Sequence, residues 1–225
     1  RLFEYASIRD LPGYNEGWFC VQDESAMRIG AALNPTPGNR VLDLCAAPGG
    51  KTTHLAELMH NQGTIVACDI EESRLRTVRE LADRLKLSII ETVCLHTDQP
   101  DGLADSSFDA ALVDVPCSNT GVLGRRPEAR WRLGLEDLRH LVPLQERLLR
   151  KAIASVKVGG AIVYSTCSIE PEENAVLVRK LLDREDAVKL EDEQDSIPGQ
   201  PADGGYWARL RKLRESPDTL PRGER

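Results

Sequence analysis

Short runs of apolar and β-branched residues recur along the chain, and glycine, proline or polar residues bound each run. Runs of this length with turn residues at their ends are typical of β-strands. The pattern predicts strands at residues 40–45, 64–69, 88–95, 108–114, 161–167 and 206–213.

Longer stretches between these runs carry apolar residues three and four positions apart, a spacing that lines one face of an α-helix. Residues 71–86 show this spacing most clearly. We expect Gly159 and Gly160 to close the helix that precedes them, and Pro171 to open the last one. The pattern predicts helices at residues 22–33, 51–60, 71–86, 136–156 and 172–182.

Strand and helix patterns alternate, and this order predicts the fold class. Parallel neighbours in a sheet require crossover connections, so we expect an α/β fold with a doubly wound, mostly parallel, Rossmann-like sheet. Such sheets bind ligands beyond the carboxyl ends of their strands. We expect one domain at residues 39–215, after a lead-in segment with a helix at 1–38 and before a tail at 216–225; residues 194–205 are the clearest predicted loop.

The composition is that of an ordinary soluble protein, with 41% hydrophobic and 29% charged residues. No apolar run approaches the roughly 18 residues of a membrane span, and the first residues do not read as a secretory signal. We therefore expect a cytoplasmic protein without membrane contact. The cysteines form no CxxC pair and no Cys/His cluster with ligand spacing, which predicts reduced thiols and no metal site. They are Cys20, Cys45, Cys68, Cys94, Cys117 and Cys167.

The net charge of −7 is unevenly distributed along the chain. Residues 121–151 contain eight Lys or Arg against four acids, whereas residues 170–195 contain ten acids against four basic residues. The overall charge argues against a nonspecific coat on nucleic acid but leaves a local basic groove open. Within GRRPEARWR, Trp131 interleaves the arginines, which favours contact with phosphates over a merely solvated face.

The stretch DLCAAPGGKTTHLAEL follows the first predicted strand with a glycine turn and a helix. Gly49 and Gly50 permit positive φ and a close approach of ligand to backbone, and a helix that begins near Lys51 offers unpaired N–H groups. This fits a nucleotide-like cofactor, although an ordinary turn before a helix shows the same pattern. A P-loop would need glycine where Cys45 stands, and the dinucleotide pattern GxGxxG is missing.

Acidic residues at the strand ends favour a cofactor with an adenosine and no phosphates. Asp69 ends the second predicted strand, where an acid can accept hydrogen bonds from ribose hydroxyls, and Asp98 follows the third. Asp43 is placed to hold either the loop or an amino group of the cofactor. A surface or capping role fits the spacing of Asp43 and Asp98 equally well. S-adenosylmethionine meets this description.

Two further motifs, DVPCSNTG and YSTCSIEPEEN, each place a cysteine just beyond a predicted strand. Together with DLCAAPGGKT, in this order, they resemble the motifs of the RNA cytosine-5 methyltransferases. GWFCVQDESA, RRPEARWR and DGGYWARLRK narrow the resemblance to the bacterial small-subunit ribosomal RNA enzymes of the RsmB/Fmu/Sun type, over about residues 17–212. The resemblance implies a class I S-adenosylmethionine-dependent catalytic domain that acts on small-subunit ribosomal RNA, and we expect the protein to be a monomer.

Methylation at carbon 5 of cytosine requires a thiolate that adds to carbon 6, because carbon 5 is otherwise a poor nucleophile. A second group must then assist loss of the proton and of the sulfur. The residues alone do not rank the two cysteines. The resemblance implies that Cys167 is the nucleophile, that Cys117 assists product release, and that Asp114 hydrogen-bonds a flipped-out or unpaired base. The cofactor site that it implies comprises Cys45, Ala46, Ala47, Pro48, Gly49, Gly50, Lys51, Asp69, Arg74, Asp98 and Asp114.

The sequence departs from the usual family pattern in three respects. DGGYW stands in place of DGFF, CSNTG stands in place of CSGxG, and the amino-terminal NusB-like domain that members usually carry is not in this sequence. We therefore expect substrate docking to depend on further residues. Two alternatives stay open: a noncatalytic RNA-binding or ribosome-assembly module on the same fold, and an ATPase with Asp114 as a magnesium ligand, which the missing first glycine disfavours.

Overall fold

A computed structural model describes residues 7–95, 103, 107–132, 134–199 and 202–215. These residues form one sheet with helices on both faces. The strands are β1 (Arg40–Asp43), β2 (Thr64–Asp69), β3 (Ile90–Cys94), β4 (Phe108–Asp114), β5 (Val156–Thr166), β6 (Val188–Ser196) and β7 (Gly205–Lys212). The helices are α1 (Glu24–Leu33), α2 (Gly50–Leu58), α3 (Glu72–Arg84), α4 (Ala129–Arg132), α5 (Leu135–Ser155) and α6 (Ala175–Leu182).

The strand order is β3-β2-β1-β4-β5-β7-β6. β1 to β5 run parallel, and β7 pairs antiparallel with both β5 and β6. The order reverses between β1 and β4, and the carboxyl ends of these two strands flank the crevice where doubly wound sheets bind ligands. The predicted doubly wound, mostly parallel sheet is confirmed.

Alternate residues of the central strands pack against different helix layers. Val41 of β1 belongs to a core cluster with Ile29 of α1 and Leu55 of α2. Its neighbour Leu42 belongs to a second cluster, with Leu149 of α5 and residues of α6 on the opposite face. Because both faces are covered, the central strands are apolar throughout, as the sequence pattern indicated.

β6 was not predicted, and the predicted loop 194–205 starts inside it. The sequence of this strand, VKLEDEQDS, is acidic and shows no apolar alternation, since most of its side chains are exposed at the edge of the sheet. Pairing with β7 along its whole length holds it in place. Acidic side chains on an edge strand also discourage pairing with other chains.

Two helix boundaries also differ from the prediction. α5 ends at Ser155 and the chain passes directly into β5, so Gly159 and Gly160 lie in that strand rather than closing the helix. The glycines accompany a register shift between β4 and β5, where Gly159 takes a φ of +85°. At the other boundary, Pro171 opens a 3₁₀ turn, and α6 begins only at Ala175. No helix in the described ranges has the length and apolar character needed to cross a membrane.

Candidate active site

The ends of β4 and β5 bring together the two cysteines that the sequence singled out. The strands are parallel neighbours, with Asp114 opposite Ser165 at their carboxyl ends. Beyond these ends, Cys117 Sγ lies 3.1 Å from Cys167 Sγ. Cys117 is buried and Cys167 is half-buried. Two thiols that stand fifty positions apart in the sequence therefore share one site.

The surroundings of the two thiols are unequal. The hydrogen bond to Cys167, together with burial, raises the pKa of Cys117 well above its ordinary value. The same hydrogen bond lowers the pKa of Cys167. Burial and Asp114 oppose that shift, whereas the positive charges of Lys51 and Arg126 add to it. Of the two thiols, Cys167 therefore loses its proton more readily, and the thiolate is the nucleophilic form of cysteine.

Asn119 touches both cysteines and was not recognised from the sequence. Its Nδ2 donates to the Cys117 carbonyl over 2.8 Å, and its Oδ1 lies 3.1 Å from Cys167 Sγ. Asn119 has a φ of +61°, a left-handed conformation that asparagine tolerates better than most residues. The Oδ1 contact favours the neutral thiol of Cys167 and opposes the hydrogen bond from Cys117. The hydrogen bond from Cys117 and the positive charges of Lys51 and Arg126 together outweigh the opposing effects, so the pKa of Cys167 is lowered.

Asp114 is held by partners on both of its oxygens. Lys51 Nζ lies 2.7 Å from Oδ2, and Ser165 Oγ donates to Oδ1 over 2.8 Å. Burial acts to lower the pKa of Lys51, but Asp114 outweighs burial and holds that pKa above its ordinary value. Among the residues that the structure describes, no group of three or more His, Cys, Asp or Glu side chains is arranged to hold a metal ion.

The predicted cofactor loop, residues 45–51, runs from the end of β1 into α2. Gly49 has a φ of +107°, so glycine is required there, and a Cβ at Gly50 would meet nothing within 4 Å. Cys45 lies among the carboxyl groups of three strand ends; burial and those charges raise its pKa, which makes it an unreactive thiol. The loop therefore leaves open space beside its backbone at Gly50 and carries a cysteine, Cys45, that is unreactive.

Two acids flank the cofactor loop. Asp43 is buried; Thr52 donates to its Oδ2 over 2.7 Å, and its Oδ1 has no partner. Burial raises the pKa of Asp43 to about 7. Asp69 pairs with Arg74 at 3.1 Å, and Arg74 also donates to the Ala47 carbonyl over 3.1 Å. Arg74 thus ties the acid at the end of β2 to the loop.

Asp98 lies outside the described residues, and its predicted place in the cofactor site stays a prediction.

A cleft of about 150 Å³, partly open to solvent, opens beside the carboxyl ends of β4 and β5. One side is formed by Lys51, Asp114 and Cys167, and the other by the start of α1 and the start of β7. The sequence did not indicate the contribution of α1. The lining residues on that second side include Asp23, Ser25, Ala26, Gly204, Gly205 and Trp207.

Arg125 joins two acids of the cleft lining, Asp23 and Asp203, that are distant in sequence. Its Nη2 lies 2.5 Å from Asp23 Oδ2, and its Nε lies 3.0 Å from Asp203 Oδ2. Asp23 is also the N-cap of α1, because its Oδ1 accepts from the Ser25 backbone N–H over 2.9 Å. Arg125 thus makes two ion pairs within the chain, and its predicted contact with phosphate stays a prediction.

The strand order, with an antiparallel β7 between β5 and β6, and a glycine loop at the end of β1 define the class I S-adenosylmethionine-dependent methyltransferase fold. An S-adenosylmethionine-dependent O-methyltransferase from Thermotoga maritima shares this fold, with a TM-score of 0.59 at 13% identity, over 87% of this chain and 67% of that one. The sequence profile described as 16S rRNA methyltransferase RsmB/F matches residues 30–210. The chain belongs to that family, as the motifs indicated.

Individual relatives agree with this assignment. The chain is 38% identical to ribosomal RNA small subunit methyltransferase B of Proteus mirabilis, over 94% of this chain and 50% of that protein. The structure of NSun6 from Pyrococcus horikoshii with SFG superposes with a TM-score of 0.82 at 30% identity, over 94% of this chain and 57% of that one. The chain thus spans about half the length of the curated relatives that it matches.

Proposed function

We propose that this chain is the catalytic domain of an S-adenosylmethionine-dependent methyltransferase that methylates carbon 5 of a cytosine in small-subunit ribosomal RNA. The observation that carries the proposal is the 3.1 Å contact between Cys117 Sγ and Cys167 Sγ beside the Lys51–Asp114 pair. Relatives named as ribosomal RNA small subunit methyltransferase B support the substrate class.

Cys167 acts as the nucleophile. Its thiolate adds to carbon 6 of the cytosine, and the electron density that this addition places on carbon 5 makes that atom able to accept a methyl cation equivalent. The lowered pKa of Cys167, caused first by the hydrogen bond from Cys117, favours the thiolate, which is the reactive form of the sulfur. Cys167 is partly exposed at the cleft, so a cytosine that enters the cleft can reach its sulfur.

Cys117 assists release of the product. After methylation the C6–S bond breaks and Cys117 gives its proton to the departing Cys167 sulfur. The Cys117 thiolate then accepts the proton of carbon 5, and the electrons of that C–H bond re-form the ring double bond. Cys117 Sγ is within 3.1 Å of the sulfur that leaves. Its raised pKa keeps it protonated at the outset, so it does not compete with Cys167 for carbon 6.

Asp114 and Lys51 orient the target base. A carboxylate accepts hydrogen bonds from the exocyclic amine of cytosine, and a lysine ammonium donates to ring nitrogen or carbonyl acceptors. The two groups line the cleft together with Cys167. The base enters this cleft only when it is unpaired or flipped out of a helix.

The cofactor site lies at the loop 45–51, Asp43, Asp69 and Arg74. The buried and unpartnered Oδ1 of Asp43 fits an amino group of S-adenosylmethionine, and the open backbone at Gly50 leaves room for a close ligand. Asp69 is suited to accept from ribose hydroxyls. When bound, S-adenosylmethionine supplies an electrophilic methyl group on a sulfonium sulfur.

The surface around α4 is the proposed contact with the RNA backbone. Trp131 is 85% exposed, and Arg126 and Arg130 are exposed beside it. Arginine with an exposed aromatic ring suits phosphates and unstacked bases. Arg126 lies close enough to influence the pKa of Cys167, so this surface continues into the cleft.

The proposal is tested by incubating a full-length version of the protein and its C167A and C117A variants with S-adenosylmethionine and unmodified small-subunit ribosomal RNA. Methylated cytosine is measured by mass spectrometry, and protein–RNA adducts are resolved on a denaturing gel. We expect methylation by the unsubstituted protein, an adduct that accumulates in C117A, and neither in C167A. RNA binding that survives loss of both thiols, with no methylation by any sample, would establish the noncatalytic module instead.

A further inference from the structure

Glu173 is a fully buried acid whose carboxyl group binds the loop that carries Cys117. Its Oε1 accepts from the Ser118 backbone N–H over 2.9 Å, and its Oε2 accepts from Ser118 Oγ over 2.5 Å. Gln145 of α5 donates to the same Oε1 over 2.8 Å. Three donors therefore converge on one carboxyl group in the interior, where unpaired polar groups are costly.

The same contacts enclose Cys117 from both sides. Gln145 Nε2 also donates over 3.0 Å to the carbonyl of Pro116, the residue before Cys117. Ser118, the residue after it, is held by Glu173 as described. Glu173 itself is fixed through its backbone, because Tyr164 OH donates to its carbonyl over 2.6 Å.

The loop of Cys167 has other supports. Cys167 follows β5, which pairs on both sides with β4 and β7. The carbonyl of Ser168 accepts from Asn174 Nδ2 over 2.9 Å, and Asn174 Oδ1 accepts from Thr166 Oγ1 over 2.6 Å. Ser118 Oγ lies 2.9 Å from Ser168 Oγ, which joins the two loops. Loss of the Glu173 side chain would thus release the loop of Cys117 while that of Cys167 stays anchored.

We propose that Glu173 is a positioning residue that holds Cys117 against Cys167, so that the product-release step can follow methylation. The inference rests on the proposed function for the roles of the two cysteines. The claim that Glu173 holds Cys117 in place does not depend on the proposed function. It concerns only the accessibility of Cys117, which is 9% exposed in the structure.

The first experiment measures the rate at which iodoacetamide labels each cysteine, resolved by peptide mass spectrometry. In E173A we expect the labelling of Cys117 to rise several-fold, with little change at Cys167. E173Q should stay close to the unsubstituted protein, because its amide oxygen can accept from both Ser118 and Gln145. E185A is the matched control, since Glu185 is also a buried acid, 5% exposed, but lies beyond the carboxyl end of α6.

The second experiment measures methylation and adduct per folded protein, with folding checked by circular dichroism. We expect methylation by E173A to fall about 100-fold, as for a catalytic group displaced by an ångström or so, while the protein–RNA adduct accumulates. A merely structural role would lower adduct and methylation together. Q145A, which removes the contact to Pro116, should show the same effects more weakly. If E173A does not fold, Q145A serves as the test of the positioning role.

Unchanged labelling of Cys117 in folded E173A and Q145A would overturn the inference, even with an active unsubstituted protein. Absence of methylation by the unsubstituted protein, with faster labelling of Cys117 in E173A, would instead leave the placement intact and count against the proposed function.

Discussion

Removal of the Cys117 thiol should make Cys167 less reactive, although Cys117 is not the proposed nucleophile. The hydrogen bond from Cys117 is the largest cause of the lowered pKa of Cys167, and it spans 3.1 Å between the sulfur atoms. A hydrogen bond to a charged group contributes about 1.5–3 kcal/mol, and the weak S–H donor belongs at the lower end of that range. Because about 1.4 kcal/mol is a factor of ten, the thiolate population of Cys167 near neutral pH should fall about tenfold in C117A.

The matched variant is C117S, whose hydroxyl keeps a donor at the same place. We expect C117S to label at Cys167 at nearly the rate of the unsubstituted protein, and C117A to label about ten times more slowly at neutral pH. The rates should converge at alkaline pH, where Cys167 is a thiolate in all three. The assay is peptide-resolved labelling with iodoacetamide between pH 6 and 10, at about half-unit steps. Equal rates in C117A and C117S at every pH would refute the reasoning.

Three further outcomes follow from contacts around the site. Burial raises the pKa of Asp43 from its ordinary 3.8 to about 7, so the native state binds the extra proton and the free energy of unfolding should fall as pH rises across that window. The decline in unfolding free energy should be on the order of 2–4 kcal/mol, and D43N should abolish it. Denaturant titrations at acid and alkaline pH measure this difference. A Cβ at Gly121 would lie 2.4 Å from the Gly204 carbonyl oxygen, whereas one at Gly124 would meet nothing within 4 Å. G121A should therefore lower the unfolding free energy by about 1–3 kcal/mol and reduce methylation, and an equal loss in G124A would contradict this account. K51A should lower the unfolding free energy by about 1–3 kcal/mol, because Asp114 then loses its ion pair with Lys51. A double-mutant cycle with D114N should show that the two free-energy changes are coupled rather than additive.

The sequence predicted the central sheet well because its strands are buried on both faces. Continuous apolar runs at 64–69 and 108–114 match β2 and β4 residue for residue. β6 gave no such signal, since its stability comes from a backbone ladder with β7 rather than from apolar side chains. An edge strand of this kind is specified by its neighbour, which is a tertiary effect.

The site shows a similar division between what is local and what is not. Strand ends fix where Asp114 and Cys167 lie, and these positions follow from the pattern alone. Glu173, by contrast, reads as an ordinary acid near the start of a helix, yet it is fully buried and bonded to a loop fifty-five positions away. The pairing of Arg125 with Asp23, across 102 positions, likewise leaves no periodic trace in the sequence.

The unequal behaviour of the two thiols is also a tertiary property, because both stand just beyond the ends of adjacent parallel strands. Cys167 faces the charges of Lys51 and Arg126, which stabilise a thiolate. Cys117 is buried next to the carboxyl group of Glu173, which raises its pKa further. A charge near a thiol changes its pKa according to sign, so these neighbours add to the hydrogen bond between the two sulfur atoms, which is the largest cause of both shifts. The assignment of roles thus depends on the tertiary neighbours of the two cysteines as well as on the cysteines themselves.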